Sequence, residues 1–198
     1  MSTVYSTSRL IGQLWNGSEW FHGRPSATTG ADPNDPTKTV PAPYNAASSG
    51  ASNLGPTSKE LAERLSADRK ALERTQPKLA RSKLPADMLT TSGSGLDPDI
   101  SPANATLQVA RVAHARGVPA AGIDALVGQH ITGRGLGIFG EPRVNVLVLN
   151  LALQRAYPAQ EWLLLVHCGL RKFKKSGVHE TGCESDATEG CGNETQLR

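Results

Sequence analysis

A small α+β domain, or a small α/β one, is the fold this chain predicts, as one compact unit over residues 1–157 with a tail at 158–198 expected to lack order. Three stretches carry the expectation. Residues 101–117 have both ends of a helix written out. Ser101 can accept a hydrogen bond from the free amides of the first turn, and Pro102 sits where its missing N–H costs nothing. Gly117 can take the left-handed conformation that closes the last turn. Residues 119–130 place Ile123, Leu126 and Val127 on one side of a second helix. In residues 144–149, Val144, Val146 and Val148 alternate with Asn145, Leu147 and Leu149, the pattern of a strand buried on both faces.

The remaining elements are less marked. Residues 6–21 carry short strand material at Leu10, Ile11, Trp15, Trp20 and Phe21, broken by an Asn16-Gly17 turn. Residues 24–58 are dominated by Pro, Gly, Ser, Thr, Asn and Ala. That composition reads as loop, mobile over 32–40 and ordered in its second half. Thr57 with Glu60 three residues on fits a capping box, and Leu61, Leu65 and Leu72 give a sparse helical stripe running to about Glu73. Residues 88–91 read as a short strand feeding the turn TSGSG, and the Gly-rich run 131–142 as a loop. Asn150 can cap a last short helix.

Within the 101–116 helix, Ala105, Val109, Val112 and Ala113 follow core spacing, with Leu107 on the far side. Gln108 and Arg111, three apart on a neighbouring flank, can point at one object.

Composition narrows the function classes. Apolar residues make up 38% of the chain and aromatics 5%, with a net charge of +3. That excess is too weak to argue for nucleic acid, and no Lys/Arg stripe is interleaved with aromatics. All three cysteines, Cys168, Cys183 and Cys191, lie in the tail. With His179 they suggest zinc, but the C-x14-C-x7-C spacing fits no zinc module.

The turn at Thr91, Ser92, Gly93, Ser94 and Gly95 invites a phosphate-loop reading, because strand, glycine turn and helix can aim backbone amides at an anion. A P-loop needs GxxxxGK[ST], and no lysine is present. Asp97 and Asp99 oppose a phosphate there. A tight turn with two aspartates satisfying backbone amides is favoured. His22, His114 and His130 are scattered without a nucleophile motif, and no Asp-Lys-Thr-Gly phosphorylation motif occurs, so the chain is expected to be non-catalytic, with no cofactor and no metal of its own.

Five blocks of this sequence closely resemble the C subunit of the Kdp-type potassium-transporting ATPase. They are LIGQ at 10–13, WFHGRPSATT at 20–29, PYNAASSGASNLGPTS at 43–58, TSGSGLDPDISPANATLQVARVAHARGV at 91–118, and GEPRVNVLVLNLAL at 140–153, in the family's order. The resemblance covers about residues 8–157. It implies an accessory role in ATP-driven potassium uptake beside two partners, a channel-like potassium-binding subunit and a P-type ATPase subunit whose affinity for ATP is raised. It also implies an ATP contact shared with that ATPase subunit through Ser92, Gly93, Ser94, Gly95 and Gln108. Arg111, Arg143 and Asn145 lie in matched blocks. They either satisfy loop carbonyls within the fold or dock to the potassium-binding subunit.

The family's members begin with a membrane helix, whereas this chain opens MSTVYSTSRLIGQ, with nothing approaching the ~20 apolar residues that span a bilayer. The chain alone therefore reads as soluble, while the resemblance places the complex in the plasma (inner) membrane with this domain on its outer face. The rival to the accessory role is an anchorless derivative without a partner. A weak nucleotide-binding domain is the third reading.

Overall fold

The computed structural model describes residues 8–76, 79 and 83–159. The expectations for the tail, including the apolar run 162–166 and the residues Cys168, His179, Cys183 and Cys191, lie outside them.

Among the described residues the fold is α+β, with four α-helices and two small antiparallel sheets. The first sheet is a hairpin of β1 (Thr29–Ala31) and β2 (Thr39–Pro41), in register Gly30 to Val40. Helix α1 (Lys59–Thr75) follows. The second sheet has the order β3-β5-β4, built from β3 (Asp99–Ile100), β5 (Arg143–Asn145) and β4 (Ile131–Thr132). Val144 is its centre, opposite both Ile100 and Ile131. Helix α3 (Ala120–Gln129) packs on both α2 (Pro102–Arg116) and α4 (Val146–Ala156), and α2 and α4 pack on β5.

Helix α2 forms as its signals dictate. Ser101 Oγ accepts from the Asn104 N–H at 3.1 Å, and Gly117 closes the helix at φ 65° with its N–H on the Ala113 and His114 carbonyls. Ala105, Val109, Val112 and Ala113 are buried, and they meet Ile123 and Val127 of α3 and Leu149 and Leu153 of α4 in one core with Phe21, Ile100 and Val144.

Four local expectations are corrected. The strand expected over 144–149 ends at Asn145, whose side chain accepts from the Val148 N–H at 3.1 Å and starts α4. Val146, Leu149 and Leu153 then face the core at helical spacing. A short apolar run fits either period, so the cap decides. Asn150, expected to cap that helix, lies fully buried inside it. The cap of α1 is Ser58, not Thr57: its Oγ accepts from the Leu61 N–H at 3.3 Å, and Leu61 stands where a capping box needs a glutamate. The strand expected at 88–91 is a 3-10 turn, Ala86–Met88, with the Thr90 amide and hydroxyl both on the Ala86 carbonyl.

Two further segments differ from their expectation. Residues 32–38, expected as loop, close the β1–β2 hairpin: Asp32 N–H donates to Lys38 O at 2.9 Å, and the Asp35 carboxylate receives the Thr37 hydroxyl at 2.6 Å. Of residues 6–21, expected to contribute strands, those that the structure describes, 8–21, form none. Their last part is an extended strap whose backbone is satisfied by side chains instead.

Candidate functional site

The strap is the feature that organises the functional residues. Phe21 is wholly buried, and its N–H and C=O are both bonded to the carboxamide of Asn150, each at 2.9 Å. The next residue, His22, is bonded in the same way from the opposite helix: its N–H donates to Gln108 Oε1 at 2.8 Å, and its C=O receives Gln108 Nε2 at 3.0 Å. Two amides, one from α4 and one from α2, thus replace the neighbouring strands that an extended segment needs. Trp20, just before them, stacks at 5.0 Å on Trp15 and carries the Arg116 guanidinium 4.5 Å above its ring.

Gln108 has further partners. Its Nε2 also donates to Asn104 Oδ1 at 2.8 Å, and Oε1 accepts from Arg111 Nη2 at 2.6 Å. The residue is 3% exposed. Gln108 and Arg111 do point at one object, and that object is the strap with the turn before it: Arg111 Nη1 donates to Ser18 O at 2.7 Å. Burial lowers the Arg111 pKa to about 10. His22 is held below the usual histidine value first by burial and then by the neighbouring Arg111 charge. Its Nε2 meets Gly17 O at 2.7 Å, so a neutral Nε2–H tautomer suits the site.

The 92–95 turn belongs to a second cluster. Ser94 O accepts from the Gly50 N–H and the Ser49 hydroxyl, both at 3.0 Å, and Gly95 O accepts from Ser26 Oγ at 2.7 Å. Gly95 has φ 68°, and a Cβ there would stand 2.5 Å from Thr28 Cγ2 and 2.7 Å from Gly50 O, so only glycine fits. Ser92 is buried, while Gly93 and Ser94 are exposed. None of the hydrogen-bond partners of this turn is shared with Gln108. The Asp97 carboxylate receives Arg24 Nη1 at 3.1 Å and the Asp99 N–H at 3.0 Å, as a loop-satisfying aspartate does. Tyr44 ties the two loops together through its hydroxyl, which donates to Arg24 O at 2.6 Å. Burial, and then the Asp97 charge, push its pKa up to about 12.

Arg143 and Asn145 lie on β5, apart from Gln108 and joined to the second cluster through Asp99. Arg143 Nε pairs with Asp99 Oδ2 at 3.1 Å while about half its side chain stays exposed. Asn145 donates to Arg9 O at 2.9 Å and to Asp99 Oδ1 at 3.1 Å, besides capping α4. Sequence reasoning missed Asn150 as the partner of the strap, as well as Asp87, whose carboxylate receives the Ser101 N–H, the Ser101 hydroxyl and Asn104 Nδ2 within 3.0 Å. A buried Asn in an apolar helix was the available signal for the first; nothing local marks the second.

Comparison with known proteins shows the family of the chain. The family described as "KdpC: K+-transporting ATPase, c chain" matches residues 3–155. Three relatives carry the name "Potassium-transporting ATPase KdpC subunit". The protein of Bradyrhizobium sp. (strain BTAi1) is 62% identical over 149 residues, 75% of this chain and 73% of that one. That of Rhodopseudomonas palustris (strain CGA009) is 62% identical over 151 residues, 76% and 74% of the two chains. That of Methylobacterium nodulans is 59% identical over 146 residues, 74% and 71%. The chain belongs to this family, the C subunits that are accessory components of a potassium-transporting ATPase. No helix among the described residues is long and apolar enough to cross a membrane.

Proposed function

We propose that this subunit acts by binding rather than by catalysis, docking on the channel-like potassium-binding subunit and the P-type ATPase subunit. It assists their assembly, or ATP use by the pump, through those contacts. The observation that supports this most is the state of Gln108. Both ends of its carboxamide are engaged within the chain, and 97% of its surface is covered. A nucleotide contact at Gln108 would have to break the clamp on His22. Any effect on ATP affinity then passes through partner subunits as coupling between separate sites. An outer-face position for the domain, with the ATP site inside, has the same consequence.

Calorimetric titration of the chain with Mg-ATP tests the reading. No saturable micromolar binding is expected. Saturable binding lost in Gln108→Ala, with the fold retained, overturns it in favour of a domain carrying its own nucleotide site. Co-expression with the other pump subunits tests the docking half. Carrying an N-terminal membrane helix, the chain is expected to co-purify with them, and failure to do so where a relative's C subunit co-purifies refutes it.

A further inference from the structure

Residues 8–12 bring the chain into the domain, and little in their own side chains holds them to a fixed course. Arg9 and Leu10 are exposed, and of the five only Gly12 is buried. Two hydrogen bonds reach the segment from distant chain: Gly12 N–H donates to Leu96 O at 2.7 Å, and Asn145 Nδ2 donates to Arg9 O at 2.9 Å. Two bonds of modest net strength do not offset the entropy lost in ordering five residues. Something else must hold the segment down.

The ring of Tyr44 lies against it. A Cβ on Gly12 would overlap Tyr44 Cε1 and stand 2.6 Å from Asp97 O, and a Cβ on Gly23 would overlap the Tyr44 hydroxyl. One side chain therefore fills the gap between the entry segment and the strap, and glycine on each side leaves room for it.

Tyr44 is itself fixed at three points. Its hydroxyl donates to Arg24 O at 2.6 Å, and its N–H donates to Ser26 Oγ at 3.0 Å. Its φ is 60°, a conformation that bulky side chains avoid and that persists where the surroundings over-determine it. Inverting φ would re-aim Cβ relative to the flanking peptides, so the strained backbone is what delivers the ring to the gap. Arg24 extends the contact, since its guanidinium bonds Asp97 at 3.1 Å and Thr91 O at 3.2 Å. The entry segment, the strap and the 91–97 turn thus meet around one phenol.

We propose that Tyr44 is a wedge that locks residues 8–12 onto the 91–97 turn, making the entry to the domain a rigid joint instead of a swivel. The wedge stands on contacts within the chain and does not depend on the docking reading.

Hydrogen exchange of the complete chain, read at single amides, tests it. In the wild type the Gly12 N–H is expected to be protected. Tyr44→Gly removes the ring yet suits the positive φ, so the fold is retained. Protection at Gly12 is expected to fall roughly tenfold or more, while the core amides of Val112 and Leu153 keep theirs. Tyr44→Phe, which keeps the wedge and loses the hydroxyl, is expected to stay within about threefold of wild type at Gly12. An unprotected Gly12 in the wild type overturns the joint. Undiminished protection in Tyr44→Gly, or a loss shared equally with Val112 and Leu153, overturns the wedge. So does a loss in Tyr44→Phe as large as in Tyr44→Gly, which would assign the effect to the hydroxyl. Should Tyr44→Gly not fold, Gly12→Ala displaces the ring from the other side. A loss confined to residue 12 supports the wedge, and unchanged protection there overturns it.

Discussion

Asn150 and Gln108 hold consecutive residues of one extended segment, each bonding both backbone groups of its residue. The Asn150 clamp is fully buried, so its loss is not repaired by water. Asn150→Ala would strand the Phe21 N–H and C=O in an apolar core. A loss of about 2–4 kcal/mol is expected in urea denaturation, because each unsatisfied buried group costs about 1–3 kcal/mol. His22 adds a pH dependence. Its folded pKa lies below the ordinary histidine value of about 6.5, so below that pH the unfolded chain binds the proton more readily than the folded one. Stability from this group is therefore whole above that value and falls as pH drops toward the lowered folded pKa. The melting temperature should decline on acidification through this window. His22→Gln, which cannot titrate, should show a shallower decline, and an equal decline in both proteins would refute the assignment.

Among the elements, α2 is the one whose start is tied to distant chain. Ser101 caps the helix, and Asp87 gathers the Ser101 N–H, its hydroxyl and the Asn104 amide, joining the 3-10 turn to the first turn of the helix. Ser101→Ala is expected to cost about 1–2 kcal/mol by thermal or urea unfolding. Asp87→Ala should cost at least as much, and the double variant should lose clearly less than the sum, because the two side chains act as one network. Strict additivity would show that the cap and the carboxylate work independently. Helix α1 contrasts with α2. It has a side-chain cap at Ser58 and i,i+4 ion pairs between Lys59 and Glu63 and between Arg69 and Glu73, but no buried residue. Its leucine stripe is sparse, and three leucines over twelve positions cannot cover a core face.

At the scale of the whole molecule, the three-stranded sheet is too small to be a platform. It serves as a hub that brings α2 and α4 to opposite sides of the strap. The residues singled out for function then fall into separate neighbourhoods: Gln108 and Arg111 on the strap, Ser92 to Gly95 against residues 26–28 and 49–50, and Arg143 and Asn145 on the sheet. The strap and the 92–95 turn are structural clasps between loops. The loop between β4 and β5 instead leaves Leu136, Ile138 and Phe139 exposed among the described residues.

Local chemistry alone determined the parts whose cause lies within a few residues. Helix α2 was legible from Ser101, Pro102 and Gly117, its core face from the spacing of Ala105, Val109, Val112 and Ala113, and the family from five ordered blocks. Only the tertiary structure decided what depends on partners far along the chain. The strap could not be told from a strand, because its hydrogen bonds come from side chains 86 and 129 residues away. The apolar run after Arg143 could not be divided into strand and helix, because both periods fit it until Asn145 pairs with Asp99 and caps α4. Gln108 was visible as a polar residue beside a core face. Whether it faced a ligand or the backbone depended on where residue 22 was delivered, and no signal within the helix carries that information.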